Sequence, residues 1–282
     1  MTALPLFGTL YKIGFITYPI RNGGFNMRYY IASDIHGYFS EFHYALAQAG
    51  YFTDTEPHKL ILLGDLFDRG REAKKMEAFV LDLLDKDEVI LIRGNHEDLF
   101  EELVIDDHGT PYKHHMSNGT FDTAMQLTGF DLVTAVFEPN AFVEAAKQTP
   151  FFRRILPEMR LYYETAQHVF VHGWIPCIRE KSGYSYRADW RSATDMEWRE
   201  ARWYNGIDAA ITSQEEKTVV CGHWHTSYGH AKHLNRGNEF GPDACFEPYH
   251  NTGIIAIDSC TAYSGIVNVV VIEDSEIEGR QQ

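Results

Sequence analysis

Three stretches decide the reading of this chain: Tyr29-Tyr30-Ile31-Ala32-Ser33-Asp34-Ile35-His36-Gly37, Leu60-Ile61-Leu62-Leu63-Gly64-Asp65-Leu66-Phe67-Asp68-Arg69-Gly70 and Val89-Ile90-Leu91-Ile92-Arg93-Gly94-Asn95-His96-Glu97. In each, a short apolar run passes into a polar loop bounded by glycine, the signature of a buried strand and the turn that ends it. Polar residues at the ends of neighbouring buried strands converge on one region in an α/β protein. Asp34, His36, Asp65, Asn95 and His96 are oxygen and imidazole donors, the types that suit a pair of divalent transition metals. Asp34 and His36 lie two apart and share one side of an extended chain. Asp65 has two oxygens and is the natural bridge between two ions. Asn95 adds a carbonyl oxygen without charge. One such loop alone reads as a tight turn after a core strand; three in order, each after a strand, argue against coincidence.

The segments between these loops read as helices. Phe39, Phe42, Leu46 and Ala49 recur at helical spacing, and Met76, Phe79, Val80, Leu83 and Leu84 do so after the second loop. Leu99, Phe100 and Leu103 start a third helix. The βαβαβ order predicts parallel strands joined by right-handed crossovers. Arg69 and Arg93 are placed to grip phosphate oxygens by paired hydrogen bonds. His96 directly follows a candidate ligand and reads as a general acid facing a leaving group, with Asp68 to orient it.

The three loops, and the forms GDLFDRG and RGNHE in particular, resemble the calcineurin-like metallophosphoesterases, phosphoprotein phosphatase branch, including bacterial and phage serine/threonine phosphatases and symmetrical diadenosine tetraphosphatases. The later His172-Gly173-Trp174 and Gly222-His223-Trp224-His225 follow apolar runs as the family pattern requires, so the resemblance spans about Met27 to Glu273. It implies an α/β fold, a four-layer α/β/β/α sandwich with metal ligands on loops at strand C-terminal ends. It implies Asp34, His36, Asp65 and His225 on one divalent ion and Asp65, Asn95, His172 and His223 on the other, manganese first, iron or zinc as alternatives. Arg202 is the first candidate for a further phosphate-gripping arginine and Arg199 the second; Tyr263 lines the pocket. Cys260 and Ser264 stand where the family has glycines. The expected reaction is hydrolysis of a phosphate monoester by a water bridging the two ions, with His96, Asp68, Arg69 and Arg93 as catalytic residues. A phosphoserine or phosphothreonine protein substrate comes first. Diadenosine tetraphosphate or another nucleotide anhydride comes second, kept open by Trp174, Tyr184, Tyr186 and Trp224. A metal-binding scaffold without catalysis is the alternative of another class; the full set of candidate groups argues against it.

Composition sets the outer limits. At 282 residues, 44% of them hydrophobic, the chain suffices for one large domain with a real core. A formal charge of −15 repels polyanions and argues against bulk nucleic-acid binding, including a nuclease role. No run is long and apolar enough to span a bilayer. Cys177, Cys221, Cys245 and Cys260 form no Cys-x-x-Cys pair and read as reduced thiols of a cytoplasmic enzyme. Residues 1–26 read as an extension outside a single catalytic domain of residues 27–282. A helical and loop insert is expected around 105–160, with His108, His114 and His115 solvated or lining the substrate mouth and helical stretches broken near Pro139 and Pro150. Residues 161–171 read as a hairpin, 176–192 as a loop over the site and 195–204 as a helix. Ile254–Ile257 and Ile266–Ile272 read as the final strands, and the acidic tail after Ile272 as solvated. Oligomeric state is left open by the sequence.

Overall fold

A computed structural model describes residues 26–105, 112–181 and 183–276. Residues 1–25 of the expected extension, and His108 in the insert, lie outside the described residues. The strands are β1 (Asn26–Ala32), β2 (His58–Leu62), β3 (Val89–Leu91), β4 (Tyr163–Glu164), β5 (His168–Phe170), β6 (Ile178–Glu180), β7 (Gly183–Ser185), β8 (Thr218–Cys221), β9 (Tyr249–Asn251), β10 (Ile254–Ala256) and β11 (Val270–Ser275). They form two mixed sheets, ordered β11-β1-β2-β3 and β4-β5-β8-β10-β9, and the separate hairpin β6-β7. Within the first sheet β1, β2 and β3 run parallel, as the βαβαβ pattern predicts; within the second, β5, β8 and β10 do.

Alternation along the strands sorts the core. Tyr29, Ile31, Ile61, Leu63, Ile90 and Ile92 meet Phe170, Val220, Ile255 and Ile257 in one cluster between the sheets. The alternate residues Tyr30, Ala32, Leu60, Leu62, Val89 and Leu91 pack outward against helices α1 (Phe39–Gln48), α2 (Ala73–Asp85) and α3 (Asn95–Ile105). Val169, Val171, Val219, Cys221, Ile254 and Ala256 do the same for the second sheet, against Trp174, Trp190, Trp198 and Ile207. Both faces of each parallel run are therefore covered, which is why those strands read as continuous apolar stretches.

Several expected boundaries shift. Helix α3 begins at Asn95, so Asn95 and His96 lie in its first turn and not in the loop before it. Around the insert, helices Thr120–Thr128, Leu132–Phe137 and Pro139–Ala146 precede a π-helical turn at Phe151–Ile155. Pro139 opens its helix, where a missing N–H costs nothing. His115 is buried, in contrast to a solvated reading. The 176–192 stretch holds the β6-β7 hairpin, and its contacts run to Thr212, Tyr204 and Glu215. The acidic tail is a correction: β11 starts at Val270 and continues through Ser275, so Asp274 is buried. Its Oδ2 accepts from Thr165 Oγ1 at 2.6 Å and the Gln167 amide at 2.9 Å and faces His168 Nδ1 at 2.7 Å. These partners compensate the burial of a charge.

Candidate metal centre

The C-terminal ends of β1, β2 and β3 carry the loops of Asp34 and His36, of Asp65, and of Asn95; the ends of β5, β8 and β10 carry His172, His223 and Asp258. The six loops meet where the two sheets adjoin. Backbone bonds lace the first two together: Asp34 N to Gly64 O at 3.2 Å, His36 N to Asp65 O at 2.9 Å and Gly37 N to Leu66 O at 2.9 Å. The approach is so close that a Cβ on Gly94 would sit 2.3 Å from Asp65 Oδ1, and one on Gly222 would sit 2.2 Å from Asp34 Oδ2. Asp34, His36, Asp65, Asp68, Arg69 and His223 all hold positive φ, between 51° and 69°. Non-glycine residues held there at about 1–3 kcal/mol each are over-determined by their surroundings, a hallmark of functional sites.

Two donor groups result. His36, Asp65 and His96 offer ligand atoms within 4.8 Å of one another, and so do Asp65, His172 and His223. Asp65 belongs to both, with one oxygen for each: Oδ1 lies 3.3 Å from His172 Nε2, and Oδ2 lies 3.7 Å from His36 Nε2 and 3.8 Å from His96 Nε2. Asp34 is tied to the second sheet, its Oδ2 accepting from the His223 amide at 2.9 Å and from Ser33 Oγ at 2.5 Å.

The histidines are prepared as ligands. His36 Nδ1 donates to Phe67 O at 3.1 Å and His172 Nδ1 to Leu63 O at 2.6 Å, leaving each Nε2 lone pair turned inward; the His223 ring bonds the Trp203 backbone. Burial pushes all three below the ordinary histidine range, so they are neutral and able to bind a cation. Burial, then the neighbouring Asp65, raises Asp34 to about 6, despite His172, Ser33 and the His223 amide pulling the other way. Asn95 Oδ1 faces His172 Nε2 at 2.8 Å. With the single imidazole proton on Nδ1, two lone pairs confront each other there, which a cation between them would relieve. Buried carboxylates, neutral imidazoles and facing lone pairs together fit divalent metal ions.

Beside these groups, His96 Nδ1 meets Asp68 Oδ2 at 2.6 Å, and Asp68 is itself held by Thr120 Oγ1 at 2.8 Å and Thr123 Oγ1 at 2.7 Å. Burial opposes a charge on His96, but Asp65 and Asp68 outweigh it and raise the imidazole to about 9. Arg69 spans the rings, its Nη1 2.9 Å from His36 Nε2 and its Nη2 3.0 Å from His96 Nε2. Donation to His96 requires a lone pair at that nitrogen, so this contact belongs to the neutral ring, and the protonation that the raised value favours at neutral pH turns Arg69 away from it.

The arginines separate. Arg202 is buried, paired with Asp98 at 2.7 and 3.0 Å, and its Nη1 has no partner. Arg93 shares Asp98 at 2.7 Å and also pairs with Glu101. Arg199 pairs with Glu102 and is not drawn to the donor groups. Neither is His225, whose Nε2 lies 2.9 Å from Glu239. Tyr263 is exposed, accepts from the Gly241 amide at 3.0 Å and packs on Phe240. Trp174 is buried with Nε1 on Ser213 Oγ at 3.3 Å, and Trp224 stacks on His225. All four cysteines are free thiols; burial pushes Cys260 up to about 11, and Cys221 higher still.

Two supports have no counterpart in the sequence reading. Glu97 accepts from the amides of Asp65 at 2.9 Å, Leu66 at 3.0 Å and Gly94 at 2.8 Å, pinning the second loop to the third. Its signal was readable: a glutamate three residues after the residue that precedes α3, the reach-back half of a capping box. Asp258, buried between Asp34, Asp65 and Arg69 and pushed well up by burial and then by Asp34, carries no local pattern that marks it.

The profile of calcineurin-like phosphoesterases matches residues 27–248. No curated protein matches the chain. Among solved structures, a point mutant of a cold-active protein tyrosine phosphatase superposes with a TM-score of 0.50 at 16% identity, covering 92% of this chain and 78% of that one. A candidate diadenosine tetraphosphatase gives 0.47 at 15% identity, covering 95% and 100%. A protein serine/threonine phosphatase from Saccharomyces cerevisiae gives 0.46 at 14%, covering 90% and 82%. With the family match over most of the chain and two histidine–aspartate donor groups at its centre, the protein belongs to the calcineurin-like phosphoesterases, metal-dependent hydrolases of phosphoester bonds.

Proposed function

We propose that the protein hydrolyses phosphate monoesters by direct attack of water, with a four-layer α/β/β/α sandwich presenting the ligands. One observation carries the reading: each oxygen of Asp65 faces a different donor group, and the His96–Asp68 pair borders one of them. Asp34, His36 and Asp65 would hold one ion, and Asp65, Asn95, His172 and His223 the other, manganese before iron or zinc; His225 would join the first only by leaving Glu239. When bound, two such ions supply Lewis-acid activation of water and charge neutralisation. Arg69 and Arg202 offer guanidinium edges to phosphoryl oxygens, the second through its unpartnered Nη1. Arg93 acts through Asp98, which it shares with Arg202. His96 gives its proton to the leaving oxygen, and Asp68 keeps the ring turned. Water being the nucleophile, no covalent phosphoenzyme forms.

The loop forms put a phosphoserine or phosphothreonine protein first, and four unpaired thiols favour a cytoplasmic setting. Nucleotide anhydrides are the second reading, favoured by Trp203, exposed and edge-on to His223. Manganese-loaded protein is to be given a phosphopeptide, diadenosine tetraphosphate and a phosphate diester in parallel. Highest kcat/KM on the phosphopeptide supports the first reading, highest on the tetraphosphate the second. Cleavage of the diester alone would overturn both.

A further inference from the structure

Trp203 is out of keeping with its neighbours. Its side chain is 48% exposed, whereas Arg202 and Tyr204 on either side are 6% exposed. The backbone there is firmly held: the Trp203 amide donates to Glu200 O at 3.0 Å, and its backbone bonds the His223 ring. The indole stands edge-on to that same imidazole, centroids 5.7 Å apart at 83°. Trp174, Trp190 and Trp198 are all buried. A large exposed ring set against the His223 imidazole of a donor group, next in sequence to a buried guanidinium with an unpartnered Nη1, brings a flat apolar surface and a cation to one end of the same helix.

We infer that Trp203 is a stacking platform for a planar aromatic group carried by the phosphate, whether the base of a nucleotide or the ring of phosphotyrosine. This rests on the phosphomonoesterase reading and reorders its substrates: serine and threonine phosphates, placed first by the loop forms, have no such ring and fall behind aryl or nucleoside phosphates. Arg202 takes the phosphoryl end while the indole takes the plane. Phe240, on the loop tied to His225 through Glu239, and Tyr263, in the short helix Thr261–Ser264, are exposed with ring centroids 5.3 Å apart and add a second aromatic surface.

The test uses manganese-loaded protein hydrolysing para-nitrophenyl phosphate, inhibited by benzylphosphonate or by propylphosphonate. Benzylphosphonate is expected to bind about five- to tenfold tighter, the range an aromatic pair provides. In W203A the ratio of inhibition constants falls towards one, and W203F restores it. In the wild-type protein, benzylphosphonate quenches part of the tryptophan emission, and W203F abolishes that part. KM values for adenosine 5′-monophosphate, phosphotyrosine and phosphoserine then separate the two carriers. A lower KM for the nucleotide assigns the base, a lower KM for phosphotyrosine the phenyl ring. Equal inhibition by the two phosphonates, or equal KM for all three esters, overturns the inference and leaves the phosphoesterase reading standing. Failure to cleave any ester tells against that reading itself.

Discussion

His96 shows how much a single side chain depends on its supports. Asp68 holds one ring nitrogen at 2.6 Å, and two threonines from helix Thr120–Thr128 hold Asp68. Removing an acid of this kind lowers turnover by about 10²–10⁴. His96→Asn should therefore lose about that factor in kcat on an alkyl phosphate while metal content by elemental analysis stays near wild type. Retained activity would remove the acid role. Glu97 makes the opposite case. It touches no reacting atom, but its removal strands three buried amides, each worth about 1–3 kcal/mol. Glu97→Ala should lower unfolding free energy by at least about 2 kcal/mol in urea melts and weaken metal retention as well. Most of the clustered donor side chains were legible because they follow strand ends, where the pattern changes from apolar to polar within a few residues; His225 shares that context and turns to Glu239 instead. The Asp98–Arg202 bond was not, since its partners lie 104 residues apart and no local pattern links them.

At the scale of elements, α3 and the C-terminal end of helix Asp195–Ala201 are clipped together by Arg202 on Asp98 and Arg199 on Glu102, while Arg93, just before α3, shares Asp98. Breaking a buried pair from one side costs about 3–5 kcal/mol. Asp98→Ala should approach that loss and raise KM more than Arg199→Ala, whose half-exposed bridge is worth little. The end of β11 gives a pH dependence. Burial alone would raise Asp274, but bonds from His168, Thr165 and the Gln167 and Ser275 amides override it and hold the carboxyl below its usual range. Its stabilisation is complete above the unfolded value near about 3.9 and is lost as pH falls through the lower folded value. Wild-type stability should drop across that acid window, and Asp274→Asn should flatten the drop while costing about 2 kcal/mol at neutral pH. Here sequence reading failed for a physical reason. Runs of acidic residues are ordinarily solvated, and the partners that bury this one come from a hairpin more than a hundred residues earlier.

For the whole molecule, the arrangement is a convergence of two sheets, and the parallel strands and the polar side chains gathered at their ends were both foreseeable from alternating strand and helix patterns. How the sheets face one another was not, because the odd and even faces of each strand are equally apolar. Among the described residues no helix is long and apolar enough to cross a membrane. Chelation should abolish activity and lower the melting temperature; a cation present at about 100 times its dissociation constant adds about 2.7 kcal/mol. Restoring manganese should return both, and a melting temperature unmoved by metal would contradict the donor geometry.

His36 and Asp65 hang from one sheet, His172 and His223 from the other. A cation gripped from both sides would act as a rivet through the seam between the two sheets. Loading it and clamping the halves together are then one equilibrium. The bare protein should breathe along that seam, with faster amide exchange in the inward-facing residues of β2 and β8 than the metal-filled protein allows.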